Sequence, residues 1–468
     1  MDYEHNDLPN DSKSSSHYSR NLMEFLSETE PYMAKLDALS FETATDLYDL
    51  LDDAAKVATT HIKEIDPELR VKICSKQDSV LERIIDVLPP FEQIDEQVKI
   101  FSPSLFEFKS WSNFQLMKDC GIAGYLLAKE IKAKPVMFFG TEGEEYPYLS
   151  ILPGLELIYR NADEHPAVAY RTHLESFYNE MDILILYGLY TQSPGYLEAY
   201  RRVRPDGKVY CAIDMNTYWM KNIDWDSQEV QQFQHQCDVI ATSCRLMRDI
   251  LNRTTNVYFP CRWLPNGFYN PTGIKIKADP DYKENIILTV GRIGSPEKNN
   301  EELMVAFAKA ADALPNWTLK IIGPVEDRLQ PFLDWFFTTH PEMKDRVILT
   351  GAVVDKAKLY DEYAKAKIFV LSSRSESGTP NVYAEALVHG CMFISSDIDG
   401  ADDITNYGEL GIKYKRDSIQ SLSYAMIKMC SGADKHAFQK HIPKALAYAN
   451  KYYDWNRNAK KIAFMLFK

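Results

Sequence analysis

The chain has 468 residues, of which 45% are hydrophobic and 12% aromatic, enough for large buried cores in about three domains. Its formal net charge of −14 is concentrated at the start, because residues 1–95 carry 21 Asp and Glu against 9 Lys and Arg. The nearly neutral remainder, with 46 acidic and 44 basic residues, argues against binding to nucleic acid or strongly anionic lipid, both of which require a basic surface.

The sequence shows neither a membrane span nor a secretion signal. No run approaches the ~20 apolar residues of a membrane span, and the opening residues Met-Asp-Tyr-Glu-His do not resemble a signal peptide. The eight cysteines are scattered without C-x-x-C spacing, which favours reduced, packed thiols over disulfides or a metal site. We expect a soluble, cytoplasmic protein that uses no metal ion in catalysis.

Residues 1–95 are predicted to form an acidic, mostly helical extension. The first 20 or so are polar and Ser-rich, which predicts disorder. The pattern is helical from Leu22 to about Leu88, and two prolines end it. The extension is either a solvated cap packed on the body or an arm that recruits a protein partner, a polypeptide acceptor or a second copy of the chain. One face of its middle helix is predicted to be apolar beside four aspartates, and consists of Leu47, Leu50, Leu51, Ala54, Ala55 and Ala58.

Strands alternate with helices over the rest of the chain, as is typical of βαβ units with parallel sheets. Residues 269–284, which contain two prolines and a glycine, are predicted to connect the two halves. Short apolar runs predict strands at residues 98–101, 135–139, 182–186, 208–213, 237–243, 285–290, 318–322, 346–349, 368–372 and 392–395.

Two segments of the second half have the features of an anion site. Residues 291–299 (GRIGSPEKN) follow an apolar strand and supply Arg292 and Lys298 a short loop apart. Residues 376–386 (ESGTPNVYAEA) form a glycine-containing turn that follows another strand and runs into a helix. Backbone N–H groups and the helix dipole at such a turn attract anions, and an arginine with a lysine would neutralise a diphosphate without a metal. This chemistry suits an enzyme that uses a nucleotide sugar.

These segments resemble the hallmarks G-R-(x)n-E-K-N and E-(x)7-E of the retaining GT-B glycosyltransferases of family 4. Residues 264–267, 347–351 and 396–400 (LPNG, VILTG and SDIDG) resemble flanking pieces of the same family. The resemblance covers roughly residues 96–468 and implies an α/β fold in which two Rossmann-like domains face a cleft. It implies an acceptor domain at 96–275, a nucleotide-sugar domain at 276–445, and a terminal helix at 446–468 that packs back on the acceptor domain.

The resemblance also assigns roles to individual residues. Arg292 and Lys298 match the pair that stabilises the departing diphosphate, although either alone would be an ordinary surface cation. Glu385 matches the carboxylate that holds the ribose hydroxyls, whereas a carboxylate near a helix start is also stabilising by itself. Glu376 matches the glutamate beside the donor sugar. Eight residues separate these two glutamates instead of seven, so an extra residue, most simply Ser377, would displace Glu376 by ~3 Å.

The remaining candidates depend on weaker patterns. Gly121, preceded by Cys120, matches one glycine of the family's loop between first strand and helix, and a plain turn explains it equally well. Asp214 stands where the family often places a histidine after a strand; it either orients the acceptor hydroxyl or the donor sugar, or caps a loop. The backbone N–H groups that are candidates to cradle a phosphate belong to Gly378, Thr379, Asn381 and Val382.

The predicted activity is metal-independent transfer of a hexose-type residue from a nucleoside-diphosphate sugar, UDP-sugar favoured over GDP-sugar, to a hydroxyl. Retention of the anomeric configuration is implied by the resemblance alone. Glycan, lipid-linked glycan, small-molecule and protein acceptors all remain open. A second interpretation is a non-catalytic GT-B subunit that recognises a partner, and a nucleotide-sugar epimerase is a third. An NAD-dependent dehydrogenase is disfavoured because no G-x-G-x-x-G follows a strand.

Overall fold

The computed structural model of the protein describes residues 16–91, 99–103, 112–161, 163–164, 168, 182–189 and 193–468. The chain divides into two units: residues up to Leu264 together with Asn456–Lys468, and Pro265–Trp455. The predicted boundary at 275/276 therefore falls inside the second unit, where the backbone N–H of Phe268 donates to the carbonyl of Tyr453 at 2.7 Å. The predicted disorder of residues 1–15 and the predicted boundary at 95/96 lie outside the described residues.

Three capped helices open the first unit. The side chains of Ser16, Ser40 and Asp66 each accept a hydrogen bond from a backbone N–H two or three residues further on, as N-caps do. Because Ser16 caps a helix, the disorder expected up to about residue 20 is wrong from residue 17 onward. The helices are α1 (His17–Met33), α2 (Phe41–Thr60) and α3 (Pro67–Val87).

Helix α2 buries the apolar face that the sequence predicts, with one exception. Leu50 is 56% exposed because it lies at the edge of the stripe, so its assignment to the buried face was wrong. The other five residues of the predicted face are buried: Leu47, Leu51, Ala54, Ala55 and Ala58. The burial of this face makes the extension part of a packed core.

A buried arginine ties α3 to the rest of the first unit. The guanidinium of Arg70, which is fully buried, donates to the backbone carbonyls of Leu251, Asn252, Thr254 and Val257 at 2.7–3.0 Å. These carbonyls lie at and beyond the end of a helix, where backbone acceptors lack intrahelical partners. Buried hydrogen bonds thus attach the extension to the body of the first unit.

Charged pairs strengthen this attachment. Asp78 of α3 pairs with Arg248 at 2.7 Å, and Asp52 of α2 pairs with Arg262 at 2.8 Å. The aspartates that the sequence placed beside the apolar face are therefore not all solvated. The contacts agree with a cap packed on the body.

The first unit is built on a parallel sheet with the strand order β3-β2-β1-β4-β5-β6-β7. The order reverses between β1 and β4, as in doubly wound α/β folds. Its strands are β1 (Lys99–Pro103), β2 (Lys134–Thr141), β3 (Glu156–Arg160), β4 (Ile183–Tyr187), β5 (Lys208–Ile213), β6 (Val239–Thr242) and β7 (Arg262–Trp263). Its further helices are α4 (Ser112–Gln115), α5 (Asp119–Glu130), α6 (Ser193–Val203), α7 (Thr217–Met220), α8 (Gln228–Gln236) and α9 (Arg245–Arg253).

The second unit repeats this architecture with the strand order β10-β9-β8-β11-β12-β13, all parallel. Its strands are β8 (Glu284–Val290), β9 (Thr318–Ile322), β10 (Val347–Gly351), β11 (Ala366–Leu371), β12 (Met392–Ser396) and β13 (Gly411–Tyr414). Its helices are α10 (Asn300–Ala310), α11 (Gln330–Thr339), α12 (Lys356–Lys365), α13 (Asn381–Val388), α14 (Ala401–Thr405), α15 (Ile419–Ser431) and α16 (Lys435–Tyr452). The ten predicted strands are confirmed, with bounds that agree to within two residues at each described end. Residue 98, the predicted start of the first strand, lies outside the described residues. Strands β3, β7 and β13 were not predicted.

The last helix, α17 (Trp455–Phe467), packs on the first helices of the chain. Arg457 pairs with Asp86 at 2.7 Å, and the ammonium of Lys461 bonds to the carboxylate of Glu82. The ring of Phe464 lies against that of Tyr48 in an edge-on contact at 5.3 Å. Helix α17 therefore shares one core with α2 and α3.

Two further observations concern the described residues as a whole. None of their helices is both long and apolar enough to cross a membrane. The eight cysteines, all of which are described, form no disulfide, and seven of them are buried. This agrees with the packed thiols that their spacing predicts.

Replacing Arg70 by methionine should destabilise the protein, because it leaves buried carbonyls without donors. We expect Arg70→Met to lower the free energy of unfolding by about 3 kcal/mol, measured from urea unfolding followed by circular dichroism. The control is Arg202→Met, which breaks an exposed pair with Glu198 and should cost less than about 0.5 kcal/mol. Equal urea midpoints for the two variants would contradict the assigned role of Arg70.

Candidate functional site

The two motif segments follow neighbouring strands. Residues 291–299 leave β8 directly, and residues 376–386 follow β11 after the short connection 372–375. These two strands pair in parallel. The strand order of the second unit reverses between them. In open parallel sheets this point, at the carboxyl ends of the strands, is where ligands bind.

The loop after β8 is fixed to its neighbours through the backbone. The N–H of Gly291 donates to the carbonyl of Ile322 at 3.0 Å. Gly323 has a φ of 147°, and a Cβ on it would lie 1.7 Å from the carbonyl oxygen of Gly291, so only glycine fits there. The close approach of these two backbones sets the direction in which the loop leaves the sheet.

Arg292 forms an ion pair with Glu297 of the same loop. Their side chains are 44% and 31% exposed, so both can be reached by solvent. Partial burial of Glu297 opposes its ionisation, but hydrogen bonds to its own backbone N–H and the nearby guanidinium of Arg292 hold its pKa below the usual value. Glu297 is therefore a carboxylate at neutral pH.

Lys298 joins the two motif segments. Its ammonium bonds to the carboxylate of Glu376, which also accepts a hydrogen bond from the hydroxyl of Ser373 at 2.6 Å. The backbone carbonyl of Lys298 accepts from the hydroxyl of Ser372 at 2.8 Å. The extra residue between the glutamates thus leaves Glu376 in contact with Lys298.

The turn after β11 leads into α13 with Pro380 at its N-cap position. Gly378 has a φ of 131°, a conformation that favours glycine. The carbonyl of Thr379 accepts from the side-chain amide of Asn266 at 3.2 Å. The helical hydrogen bonds begin with Tyr383, whose N–H donates to Pro380 at 2.9 Å. The N–H groups of Asn381 and Val382 come earlier, in the turn that attracts anions.

Glu385 lies one turn into α13, as the sequence predicts. Its carboxylate accepts a hydrogen bond from the hydroxyl of Tyr363 at 2.8 Å and lies 3.2 Å from the ammonium of Lys356. Both partners come from α12, and the Glu385 side chain is 17% exposed. The sequence did not indicate Tyr363 or Lys356 as partners of Glu385, because no motif links Glu385 to residues 22 and 29 positions before it.

Beneath Glu385 lies a buried histidine. His389 Nδ1 bonds to the backbone carbonyl of Glu385 at 2.7 Å, and its ring stacks on that of Tyr363 at 5.6 Å. Burial lowers the pKa of His389 to about 4, so the ring is neutral at pH 7. This neutral, stacked ring supports the helix turn that carries Glu385.

Gly121 and Asp214 belong to the first unit. Gly121 lies in the first turn of α5 rather than in a loop, and its N–H donates to the carbonyl of Lys118 at 3.0 Å. The expected glycine loop is therefore wrong: a Cβ at residue 121 would lie 2.4 Å from the carbonyl oxygen of Gln115, so the glycine serves close packing. Asp214 follows β5, but the cap of α7 is Asn216, whose side chain accepts from Trp219 at 3.0 Å.

Within the part of the chain that the structure describes, no three His, Cys, Asp or Glu side chains are grouped so that they could hold a metal ion. The cations of the candidate site are instead Arg292 and Lys298. Metal-independent chemistry stays a prediction.

The geometry of the second unit agrees with its match to a known family. Residues 284–431 match the model of the family described as glycosyl transferases group 1. This segment of the second unit is therefore similar to that family. It contains both motif segments, Tyr363 and Lys356.

Solved structures show that the chain has the GT-B fold. Anabaena HepE in complex with UDP and glucose has a TM-score of 0.58 at 13% identity, covering 79% of this chain and 99% of that chain. Sucrose-phosphate synthase from Thermosynechococcus elongatus has a TM-score of 0.57 at 15% identity, covering 78% and 97%. At this level of identity, the likeness establishes the fold alone.

One characterised relative is similar in sequence over a short stretch. An exopolysaccharide phosphotransferase of Streptomyces coelicolor is 28% identical over 137 residues, which is 29% of this chain and 14% of that protein. The match therefore spans about a seventh of that relative's length.

The second unit should lose stability in mild acid, because two of its buried histidines are neutral in the folded state. Burial lowers the pKa of both His389 and His441 to about 4. Between pH 6.5 and pH 4 the folded chain binds fewer protons on these rings than the unfolded chain does, so stability falls as the pH falls.

Each ring should contribute up to about 2 kcal/mol of this loss at pH 5. Thermal unfolding at pH 7 and pH 5 would measure it, and the double variant His389→Gln, His441→Gln should show a smaller drop. His436→Gln, at an exposed position, is the control. An equal drop in the double variant and the wild type would refute the assignment.

Proposed function

We propose that the chain transfers a sugar from a nucleoside-diphosphate sugar, with UDP-sugar favoured over GDP-sugar, to a hydroxyl acceptor. One observation carries the proposal: Lys298 and Glu376, from the two motif segments, meet at the point where the strand order reverses. Strand ends, a helix N-terminus and two cations at one such point suit a diphosphate leaving group. The match to the group 1 glycosyl transferases and the complexes of Anabaena HepE with UDP and with UDP-glucose support it.

The proposed donor site stabilises charge as it develops. When the bond between the sugar and the diphosphate breaks, negative charge grows on the diphosphate oxygens. Arg292 and Lys298 supply preorganised positive charge there, and the first turn of α13 supplies backbone donors. No metal is needed in this scheme, because the two side chains provide the positive charge that a divalent ion would bring.

The proposed nucleoside site is built around Glu385. A carboxylate can accept hydrogen bonds from both ribose hydroxyls, and Tyr363 and Lys356 hold this one in position. Glu376 would lie beside the donor sugar and at the same time orient Lys298. In this proposal the ribose and the diphosphate of the donor bind at α13 and the loops next to it.

The transfer step is proposed to proceed with retention. The bond from the anomeric carbon to the diphosphate oxygen breaks, the acceptor oxygen bonds to the same carbon, and the acceptor proton passes to a diphosphate oxygen. The products are the glycosylated acceptor and a nucleoside diphosphate. Asp214 stays a candidate for orienting the acceptor hydroxyl, and the acceptor class, the cytoplasmic location and the role of any protein partner stay predictions.

Removal of the Arg292 guanidinium should abolish most of the turnover. We expect Arg292→Ala to reduce release of nucleoside diphosphate from its preferred donor by ~10²–10³-fold, measured over a panel of UDP- and GDP-sugars without acceptor. Arg328→Ala is a matched control, since Arg328 is 45% exposed and pairs with Glu301 elsewhere on the domain. A wild-type protein that neither hydrolyses nor binds any donor would instead favour a non-catalytic GT-B subunit.

Loss of the Tyr363 hydroxyl should weaken donor binding without slowing the chemical step. Tyr363→Phe removes a hydrogen bond that orients the ribose carboxylate, worth roughly 1 kcal/mol, and should raise the donor KM about fivefold with kcat nearly unchanged. Tyr424→Phe, at a residue 64% exposed, should change neither constant. A fall in kcat at unchanged KM would place Tyr363 elsewhere in the mechanism.

A further inference from the structure

Both cations of the proposed diphosphate site are already paired with carboxylates. Arg292 bonds to Glu297, and Lys298 bonds to Glu376. Two positive and two negative side chains leave no net charge among these four groups. A nucleoside diphosphate carries several negative charges, so it competes with these carboxylates for the two cations.

The two carboxylates differ in how firmly they are held. Glu376 is 12% exposed in its side chain and has the hydroxyl of Ser373 as a further partner at 2.6 Å. Glu297 and Arg292 are more exposed, at 31% and 44%, and ion pairs that solvent reaches are weak. The pair between Arg292 and Glu297 is therefore the easier one to exchange for a phosphate.

The backbone that carries Glu297 is anchored. Its carbonyl accepts from the N–H of Arg374 at 2.7 Å, and the carbonyl of Pro296 accepts from the guanidinium of Arg374 at 2.9 Å. On the other side, the N–H of Lys298 donates to the carbonyl of Ser295 at 3.0 Å. An exchange of partners at Arg292 thus requires side-chain rotation only, without movement of the loop.

The Glu297 carboxylate has hydrogen-bond donors other than Arg292. It is hydrogen-bonded by the side chain of Ser295 and by its own backbone N–H. These neutral donors stay available after the guanidinium has turned to another anion. The displaced carboxylate would therefore keep hydrogen bonds at the rim of the site.

We propose that Glu297 is an internal competitor of the nucleoside diphosphate: its carboxylate occupies Arg292 in the empty site and is displaced when the diphosphate binds. The inference rests on the proposed function and adds Glu297 as a residue that sets the affinity of the site for the diphosphate. Competition lowers the affinity for donor and product alike, and it speeds departure of the product, because the carboxylate is ready to recapture Arg292. A role in orienting Arg292 for phosphate would have the opposite effect on affinity.

Binding of UDP and GDP, measured by calorimetry on the full chain, separates these two roles. Glu297→Gln keeps the shape of the side chain and removes its charge, and we expect roughly tenfold tighter binding, equivalent to ~1.4 kcal/mol. Asp281→Asn is the matched control: it removes one negative charge from an exposed ion pair with Lys435, ahead of the amino end of β8. This control should leave both affinities unchanged.

The double variant Arg292→Ala, Glu297→Gln tests whether the effect passes through Arg292. The gain from Glu297→Gln should vanish in the Arg292→Ala background, as expected for two residues that interact directly. Thermal unfolding of each variant checks its fold, and Glu297→Ala provides a second replacement.

The possible outcomes have different meanings. Tighter binding that depends on Arg292 supports internal competition. Weaker or unchanged binding by folded Glu297→Gln, with the wild type binding UDP or GDP, overturns the competition alone. Failure of the wild type to bind either nucleotide would overturn the proposed function and this inference with it.

Discussion

The parallel pairing of β8 with β11 determines where the chemistry of the second unit can lie. The carboxyl ends of these strands, Val290 and Leu371, are 81 positions apart in sequence, yet the pairing brings both following loops to the same edge of the sheet. The contact of Lys298 with Glu376, 78 positions apart, follows from that pairing. Because side chains of both loops reach only a short distance, a shift in strand register would separate the cation from its carboxylate.

The fold could be predicted from sequence because most of its strands are short apolar runs. Such runs can be recognised in a sequence without knowledge of tertiary contacts. Two of the strands that were missed have only two and four residues, Arg262–Trp263 and Gly411–Tyr414, with too few positions for a pattern to emerge. The sequence places the boundary between the halves at 275/276, whereas the second compact unit begins at Pro265. Phe268 contacts this unit through a hydrogen bond to Tyr453, which no local pattern reveals.

The site was predictable where residues lie within a motif and unpredictable where they meet through packing. The pairing of Arg292 with Glu297 spans five positions, and the placement of Glu385 follows from helix periodicity. Tyr363 and Lys356 reach Glu385 only because α12 packs on α13. Gly121 was expected in a loop, whereas the structure places it in the first turn of α5, where it allows a close approach to the backbone before the helix. Local sequence cannot distinguish these two uses of glycine.

The contact of α17 with the first helices has a consequence for the order of synthesis. Lys461 and Glu82 are 379 positions apart, so this part of the core cannot close until almost the whole described chain has left the ribosome. Until then α2 and α3 lack the apolar and charged partners that the last helix provides. Contacts of such long sequence separation form slowly and leave hydrophobic surface exposed in the meantime. The core of the first unit therefore stays incomplete until late in translation, although α1, α2 and α3 emerge early.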